Sequence, residues 1–353
     1  MKMLHRLPKK LLCRSFKQVI FIIAIIYFAH LNFLMFDIYP VDINKIIPSD
    51  RELMIGYQAN QLNRSLDQFV IPTITNLEDR NKVYLERAQL VSKHCHALGD
   101  QGSYGELSKS PLHRLRWLTS RKLVMCFNAK VGTSSWLQYL MDTGYPGILN
   151  ASRNWHGTAE RYLKPSTGRT SPEAIQQLQE FDRIILVRDP FARIASAYRD
   201  KIRRRKMPGL NRHIVSSYRR LEDKSKGDLP TFEEFVRYLV DHTPTDDSIA
   251  EKRSHRTDRH WFHYYANCAI CDIHYNIIAK METIQEDTRY IKDKFNLVIP
   301  DLTWNNHHGT NSSSEEAAVQ LFRDLPGDLT KALYIRYRMD FLMFNYTLDK
   351  YLV

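Results

Sequence analysis

A lysine and a run of hydroxyl residues stand close together in the stretch NAKVGTSS. Lys130 comes two residues before Gly132, and Thr133, Ser134 and Ser135 follow that glycine directly. An ammonium group, hydroxyl donors and the free N–H groups of a helix N-terminus all suit an anion. The stretch therefore predicts an anion site, although an ordinary turn between a strand and a helix would look the same. It is not the P-loop of nucleotide kinases, because the lysine precedes the glycine.

A second candidate anion site lies in the stretch RDPFARIASAYR. Arg188 and Ser196 flank a predicted turn here, and they could converge on one dianionic phosphate. Two other interpretations stay open from these residues alone. Arg188 could form a salt bridge with Asp189 or be a solvated charge, and Ser196 could be a small helix residue.

Both candidate sites are predicted to lie between a buried strand and a helix. Apolar runs over 122–127 and 184–187 predict the two strands. We expect Thr133 or Ser134 to cap the first helix, and Pro190 to begin the second. Each group of polar residues thus belongs to a unit of strand, loop and helix.

The composition indicates a polyanionic partner and a membrane anchor. The 353 residues carry a formal net charge of +12, which suits a nucleic acid, an acidic membrane surface or an acidic polysaccharide. Residues 19–36 are uncharged and follow several lysines and arginines. This pattern predicts a transmembrane segment with the N-terminus in the cytosol, and a cleaved signal peptide is the alternative.

Four glycosylation sequons agree with a lumenal location for the body of the protein. They begin at Asn63, Asn150, Asn311 and Asn345. A lumenal protein is not expected to meet nucleic acid, so an acidic glycan is the better candidate partner.

Four cysteines fall on the predicted lumenal side: Cys95, Cys126, Cys268 and Cys271. Such a compartment permits disulfides, and four cysteines allow three pairings. We expect a bridge between Cys268 and Cys271 because they are closest in the sequence, whereas Cys126 could be a buried thiol. This C-x-x-C pair lacks the second pair of a zinc site, and no bound metal is expected.

Together, the two anion sites resemble the donor-binding motifs of sulfotransferases. The resemblance is closest to the carbohydrate sulfotransferases that include the HNK-1, chondroitin 4-O and dermatan 4-O enzymes. Two further stretches are similar to that family, HWFHYYANCAICDIHYNIIAKMETIQED at 260–287 and DFLMFNYTLDKYL at 340–352. One departure is Ala129, which stands where the family usually has proline.

The resemblance implies a fold and a location. We expect a three-layer α/β, P-loop-like sulfotransferase fold with a central, mainly parallel sheet, preceded by a transmembrane helix and a stem. Both donor loops should lie at the C-terminal ends of strands, where open α/β sheets bind nucleotides. The expected domains are a cytoplasmic tail (1–18), a signal anchor (19–36), a lumenal stem (37–85) and a catalytic domain (86–353). Such a protein lies in the Golgi membrane with single-pass type II topology.

The resemblance also implies the donor, PAPS, and the residues that bind it. The loop for the 5′-phosphosulfate comprises Ala129, Lys130, Val131, Gly132, Thr133, Ser134 and Ser135. The segment for the 3′-phosphate comprises Arg188, Asp189, Pro190, Phe191, Ala192, Arg193, Ile194, Ala195 and Ser196. Lys130 is expected to neutralise charge on the leaving oxygen, and His156 to act as general base, with Glu282 as a second candidate base or a structural residue.

The expected acceptor is an acidic glycosaminoglycan. Basic residues for it occur at 203–206 and 252–259, and His255, His260 and His263 could join them. The favoured reaction is sulfation at position 4 of N-acetylgalactosamine in chondroitin or dermatan. The alternatives are an HNK-1-like or N-glycan acceptor, a phosphotransferase, and a non-catalytic lumenal glycan-binding protein.

Overall fold

A four-stranded sheet lies at the centre of the part of the chain that the computed structural model describes, residues 77–97, 112–244, 258–300 and 315–352. The strands stand in chain order: β1 (Leu115–Leu118), β2 (Leu123–Cys126), β3 (Asp182–Val187) and β4 (Ile277–Lys280). β1 is antiparallel to β2, while β2, β3 and β4 are parallel. The mainly parallel sheet and the α/β class expected from the sequence are confirmed.

Helices connect and follow the parallel strands. The described helices are α1 (Leu77–Ala97), α2 (Thr133–Gly144), α3 (Trp155–Tyr162), α4 (Pro172–Glu180), α5 (Pro190–Ala197), α6 (Pro208–Tyr218), α7 (Phe232–His242), α8 (Tyr264–Asn267), α9 (Ile270–Ile273), α10 (Ile284–Phe295), α11 (Glu316–Arg323) and α12 (Gly327–Met343). A π-helical turn, Tyr198–Arg203, follows α5 directly. Among the helices of these described ranges, none is long and apolar enough to cross a membrane.

The two strands that precede the candidate anion sites are buried along their apolar runs. All of β2 and the last four residues of β3 are buried. A parallel strand covered on both faces needs such a continuous apolar run, which is why the sequence indicated these two strands. In the register between them, Cys126 at the end of β2 lies opposite Ile185 of β3. The chain therefore leaves both strands at the same edge of the sheet.

Two hydrophobic clusters hold the body together. The first surrounds the sheet and includes residues of α1 and α2. The second lies among helices and is built on α5, α7, α11 and α12, where the ring of Phe191 stacks on that of Phe322 at 4.3 Å. Helix α5 is therefore fixed by a core of its own, beyond the edge of the sheet.

A buried carboxylate ties α1 to the body. Asp287 is fully buried and accepts hydrogen bonds from Arg80 and from the Tyr84 hydroxyl, both at 2.6 Å. The Lys280 amide and the Thr283 hydroxyl donate to its other oxygen, Oδ2, at 2.8 and 2.7 Å. A buried charge is tolerated only with such full pairing. The stem boundary expected at residue 85 falls inside helix α1.

Two disulfides correct the pairing expected from the sequence. Cys95 of α1 bonds Cys271, and Cys126 of β2 bonds Cys268, over separations of 176 and 142 residues. The expected Cys268–Cys271 bridge is wrong, and Cys126 is not a free thiol. The reason is the left-handed Ala269, with φ 44°, which turns the chain between α8 and α9 and directs the two sulfurs to different neighbours.

Some expected features lie outside the described residues. These are the anchor at 19–36, most of the stem, the sequons at Asn63 and Asn311, and the basic residues 252–256. The other two sequon asparagines, Asn150 and Asn345, are exposed at the surface.

Breaking the Cys95–Cys271 bridge should destabilise the protein. The double variant Cys95→Ser, Cys271→Ser is expected to lose about 2–5 kcal/mol of unfolding free energy, the usual cost of removing a native disulfide. Denaturant unfolding measures this loss, and Cys13→Ser is the control because it leaves both bridges intact. A peptide map under non-reducing conditions that joins Cys268 to Cys271 would contradict the pairing.

Candidate active site

The two predicted anion loops meet at one edge of the sheet. The first runs from β2 to α2, and the second joins β3 to α5. Between these units, the ammonium of Lys130 lies 2.9 Å from Oδ2 of Asp200, in the π-helical turn after α5. Open α/β sheets bind ligands in the crevice at such an edge. The structure thus brings Lys130 to the segment that follows the Arg188 loop.

The buried side chain of Asn128 anchors the first loop. This buried side chain accepts a hydrogen bond from the Asn267 amide at 2.7 Å, and its own amide nitrogen lies 3.1 Å from Sγ of Cys268. The Thr133 hydroxyl donates to the Asn128 carbonyl and closes the loop. Sequence reasoning missed Asn128, which precedes Ala129 in the motif.

The start of α2 differs from expectation. Gly132, at φ 77°, occupies the cap position, and no side chain within the described residues caps this helix. Thr133 and Ser134 are therefore not the cap, because Thr133 is already the first helical residue and its hydroxyl serves the loop. The first-turn N–H groups of α2 keep their capacity for an anion.

A cluster of lysines surrounds Asp200. Its carboxylate accepts from Lys130 and from Lys206, the latter at 2.6 Å, and lies 3.3 Å from the Lys201 ammonium. Burial opposes ionisation of Asp200, but these lysines outweigh burial and hold its pKa well below the usual range. Burial lowers the pKa of Lys130 against the effect of Asp200. Among the described residues, three ammonium groups therefore meet one carboxylate, and the cluster is net positive.

In the second loop, Asp189 has a structural role. It is fully buried, caps α5 by accepting from the Phe191 and Ala192 amides at 2.9 and 3.0 Å, and also accepts from the Tyr351 hydroxyl at 2.7 Å. The Lys350 ammonium lies 3.0 Å from its second oxygen. These contacts of the Asp189 carboxylate are all with the protein itself. Pro190 begins α5, as the sequence predicts.

Several residues of the expected 3′-phosphate segment have their side chains in the core. Phe191, Ile194 and Ala195 are fully buried in the helical cluster. Arg193 is also fully buried: its guanidinium donates to the Phe262 carbonyl at 2.6 Å and lies 4.1 Å from the centre of the Tyr264 ring. These side chains therefore serve the core, because α5 is packed on almost all sides, and the binding of a phosphate by this segment stays a prediction.

Arg188 and Ser196 remain the polar side chains of that segment suited to an anion. Arg188 is the first residue after β3. Its backbone N–H donates to the Tyr264 hydroxyl at 3.1 Å, and its carbonyl accepts from the same hydroxyl at 3.2 Å. Ser196 is half-buried near the end of α5. Burial lowers the pKa of Arg199, and the charge of Arg188 lowers it further, so these two cations are neighbours. Sequence reasoning did not select Arg199.

His156 lies at the start of α3 and is exposed. Burial of part of the ring lowers its pKa, and the charges of Arg259, Arg116 and Lys201 lower it further. Lys201 also contacts Asp200, so His156 is within electrostatic reach of the lysine cluster. A lowered pKa leaves the imidazole neutral at physiological pH, the form that accepts a proton.

Glu282, the second candidate base, is engaged in the fold. Its Oε1 accepts from the Asp189 amide, and its Oε2 accepts from the Tyr346 hydroxyl, both at 2.8 Å. This geometry matches its alternative, structural role.

The candidate acceptor residues are only partly available. His263 is buried with Nε2 2.5 Å from the Arg336 carbonyl, and burial lowers its pKa to about 4, so the expectation that it faces an acceptor is wrong. His260 pairs with Asp258 at 2.5 Å, and Arg205 pairs with Asp228. Arg259 is exposed beside His156.

Comparison with known proteins gives one family. A family model described as the sulfotransferase family matches residues 114–347. Carbohydrate sulfotransferase 11 of Rattus norvegicus is 29% identical over 244 residues, 65% of this chain and 66% of that protein, so the chain spans just under two thirds of its length. Carbohydrate sulfotransferase 10 of Rattus norvegicus is 28% identical over 300 residues, 78% and 79% of the two chains. Carbohydrate sulfotransferase 9 of Homo sapiens is 27% identical over 276 residues, 74% and 59%. No solved structure matches.

Removing the carboxylate of Asp200 should tighten anion binding. Asp200→Asn leaves the lysine cluster without its internal counter-charge, and adenosine 3′,5′-bisphosphate is expected to bind up to about tenfold more tightly. Titration calorimetry at fixed ionic strength measures the change. Asp228→Asn, which frees an exposed arginine, is the matched control and should leave affinity unchanged. Weaker binding by Asp200→Asn would mean that Asp200 assists the ligand instead of competing with it.

Proposed function

Because the chain belongs to the sulfotransferase family, we propose that it transfers the sulfuryl group of PAPS to a hydroxyl group of a glycan. The observation that carries the proposal is the Lys130–Asp200 contact, which joins the first anion loop to the helix that follows the second. Two anion sites at one sheet edge suit a donor with a phosphosulfate at one end and a 3′-phosphate at the other. The resemblance to the carbohydrate sulfotransferases is confirmed by the family model and the relatives, and it supports a sugar acceptor.

Lys130 acts in this proposal as an electrostatic catalyst. The acceptor oxygen forms a bond to sulfur while the bond from sulfur to the phosphate oxygen breaks, and negative charge develops on that leaving oxygen. Lys130 and the first-turn N–H groups of α2 stabilise this charge, as in other transfers through a loose transition state. Adenosine 3′,5′-bisphosphate leaves.

His156 receives the proton of the acceptor hydroxyl. Its exposure gives a sugar chain access to the imidazole, and its lowered pKa keeps the ring neutral. Arg188 and Ser196 hold the 3′-phosphate, and Arg199 adds positive charge beside Arg188. None of these steps uses a metal ion. Within the described residues, no group of three or more His, Cys, Asp or Glu side chains could hold one.

The acceptor we propose is chondroitin or dermatan, sulfated at position 4 of N-acetylgalactosamine. An exposed Arg259 beside the candidate base supports a chain that carries negative charge. The HNK-1-like and N-glycan acceptors are the alternatives. We further propose that residues 19–36 anchor the protein in the Golgi membrane, with a cytoplasmic tail before them and, after them, a stem and a lumenal catalytic domain. The domain boundary predicted at residue 85 moves to before α1, because Arg80 and Tyr84 already belong to the body. The two disulfides support an oxidising compartment.

Transfer of labelled sulfate from PAPS tests the reaction and the acceptor. Purified protein should sulfate desulfated chondroitin and dermatan in preference to HNK-1-type and N-glycan acceptors, and disaccharide analysis should place the sulfate at position 4. Lys130→Ala should lower kcat by about 10²–10³, the usual cost of one preorganised group at the developing charge. Lys331→Ala, which removes an exposed lysine of α12, is the control. Binding of adenosine 3′,5′-bisphosphate without transfer to any acceptor would instead indicate a glycan-binding protein.

The pH dependence of transfer tests His156. Since only the neutral imidazole accepts a proton, activity should rise as pH increases through its pKa, with a midpoint below the ordinary histidine value of 6.5. Arg259→Met removes a neighbouring positive charge, so the midpoint should move to higher pH. Arg323→Met, on the exposed face of α11, should not move it. A midpoint unchanged in His156→Gln would assign the titration to another group.

A further inference from the structure

The C-terminal segment after α12 reaches back to the second donor loop. The Tyr351 hydroxyl donates to Oδ1 of Asp189 at 2.7 Å, across 162 residues of sequence. Lys350 lies 3.0 Å from Oδ2 of the same carboxylate. Tyr351 is 1% exposed and Asp189 is fully buried. Two consecutive residues of this segment therefore hold the aspartate that follows Arg188, one by a hydrogen bond to Oδ1 and the other by an ion pair with Oδ2.

The same segment also supports the loop through a second carboxylate. Glu282 accepts from the backbone N–H of Asp189 on one oxygen and from the Tyr346 hydroxyl on the other, both at 2.8 Å. The side chain and the amide of Asp189 are thus both connected to the C-terminal segment. The loop is held from two directions at the residue directly after Arg188.

The C-terminal segment is itself fastened to the body. Lys280, at the end of β4, donates to the Phe344 carbonyl and lies 4.5 Å from the centre of the Tyr346 ring. Lys350 contacts Glu315 as well as Asp189. These contacts make the segment a fixed support and not a loose tail.

Arg188 lies beside this support. Burial and the negative charge of Asp189 raise the pKa of the Tyr351 hydroxyl, and the positive charge of Arg188 opposes them. Arg188 is thus close enough to Tyr351 to affect the pKa of its hydroxyl. A shift of the Asp189 carboxylate would change both the position of Arg188 and the first turn of α5.

We propose that Tyr351, Lys350 and Tyr346 are positioning residues of the donor site, acting through Asp189 and Glu282 on Arg188 and the start of α5. The inference rests on the proposed function, because it takes the ligand of Arg188 to be the 3′-phosphate of PAPS. None of the three residues touches the ligand in this account. Their effect is to restrict the loop to the geometry that binds the donor.

The decisive variant is Tyr351→Phe in the full-length protein. It keeps the ring, which packs on Phe191 at 5.1 Å, and removes only the hydroxyl that Asp189 accepts from. Adenosine 3′,5′-bisphosphate is expected to bind about tenfold more weakly, as suits the loss of a hydrogen bond to a charged group. The KM for PAPS should rise by a similar factor, while kcat at saturation and the KM for the glycan should stay within about twofold.

Tyr337→Phe is the matched control. Tyr337 is fully buried in the same helical cluster, and its hydroxyl donates to the Trp261 carbonyl at 2.6 Å instead of to the donor loop. Both variants lose one buried hydrogen bond, so both should lower the melting temperature. Only Tyr351→Phe should weaken nucleotide binding, which separates positioning from general stability.

The outcomes are distinct. If the unaltered protein does not bind adenosine 3′,5′-bisphosphate, the proposed function fails and this inference fails with it. If it binds, and Tyr351→Phe and Tyr337→Phe bind equally well, the positioning role is overturned while the proposed function stands. If Tyr351→Phe does not fold, Lys350→Met takes its place: its ammonium is partly exposed, and several-fold weaker binding that Lys350→Arg restores supports the role. Unchanged binding by folded Lys350→Met overturns it.

Discussion

The geometry of the site depends on the hydrogen bonds that the buried carboxylate of Asp189 accepts. Asp189 stands just past the end of β3 and holds three parts of the chain at once. Its carboxylate accepts from the first turn of α5 and from the C-terminal segment, and its backbone N–H donates to Glu282. Removing a carboxylate from water is costly, and hydrogen bonds and a close ion pair offset that cost. Because any movement of the loop would break these contacts of the buried carboxylate, the loop has few alternative positions.

Asp287, a second buried carboxylate, is also held by several hydrogen bonds, and one of them comes from the last residue of β4. It joins α1, the Lys280 amide and the first turns of α10 in one buried network. Between the two carboxylates lies the short segment Met281–Thr283, which contains Glu282. Two buried anions thus frame the C-terminal edge of the sheet, the edge that presents the basic loops.

The sequence was sufficient for the local parts of this arrangement. Continuous apolar runs indicated β2 and β3, proline marked the start of α5, and Lys130 and Arg188 were selected because cations at strand ends suit anions. These signals depend on neighbours within a few residues. From these signals one could predict which edge of the sheet carries the site and that its ligand is an anion.

The remaining features depend on contacts between distant residues. Nothing near Asp200 in the sequence indicates that a π-helical turn brings it to Lys130, 70 residues earlier. Arg193 looks like one more cation of a basic motif, yet the packing of α5 directs it inward onto Tyr264. The predicted bridge between Cys268 and Cys271 was wrong for the same reason. Two cysteines that are close in the sequence can have side chains that point to different parts of the fold.

The spacing of the disulfides has a consequence for biosynthesis. A ribosome delivers residues in order, so Cys95 and Cys126 are the first two of the four bonded cysteines to be synthesised, and they are not partners. Each waits for a cysteine that is synthesised 176 or 142 residues later. If the first two thiols oxidise as they emerge, they form a bridge that the finished protein does not contain. Correct maturation of this chain therefore requires either delayed oxidation or thiol–disulfide exchange once Cys268 and Cys271 have been synthesised.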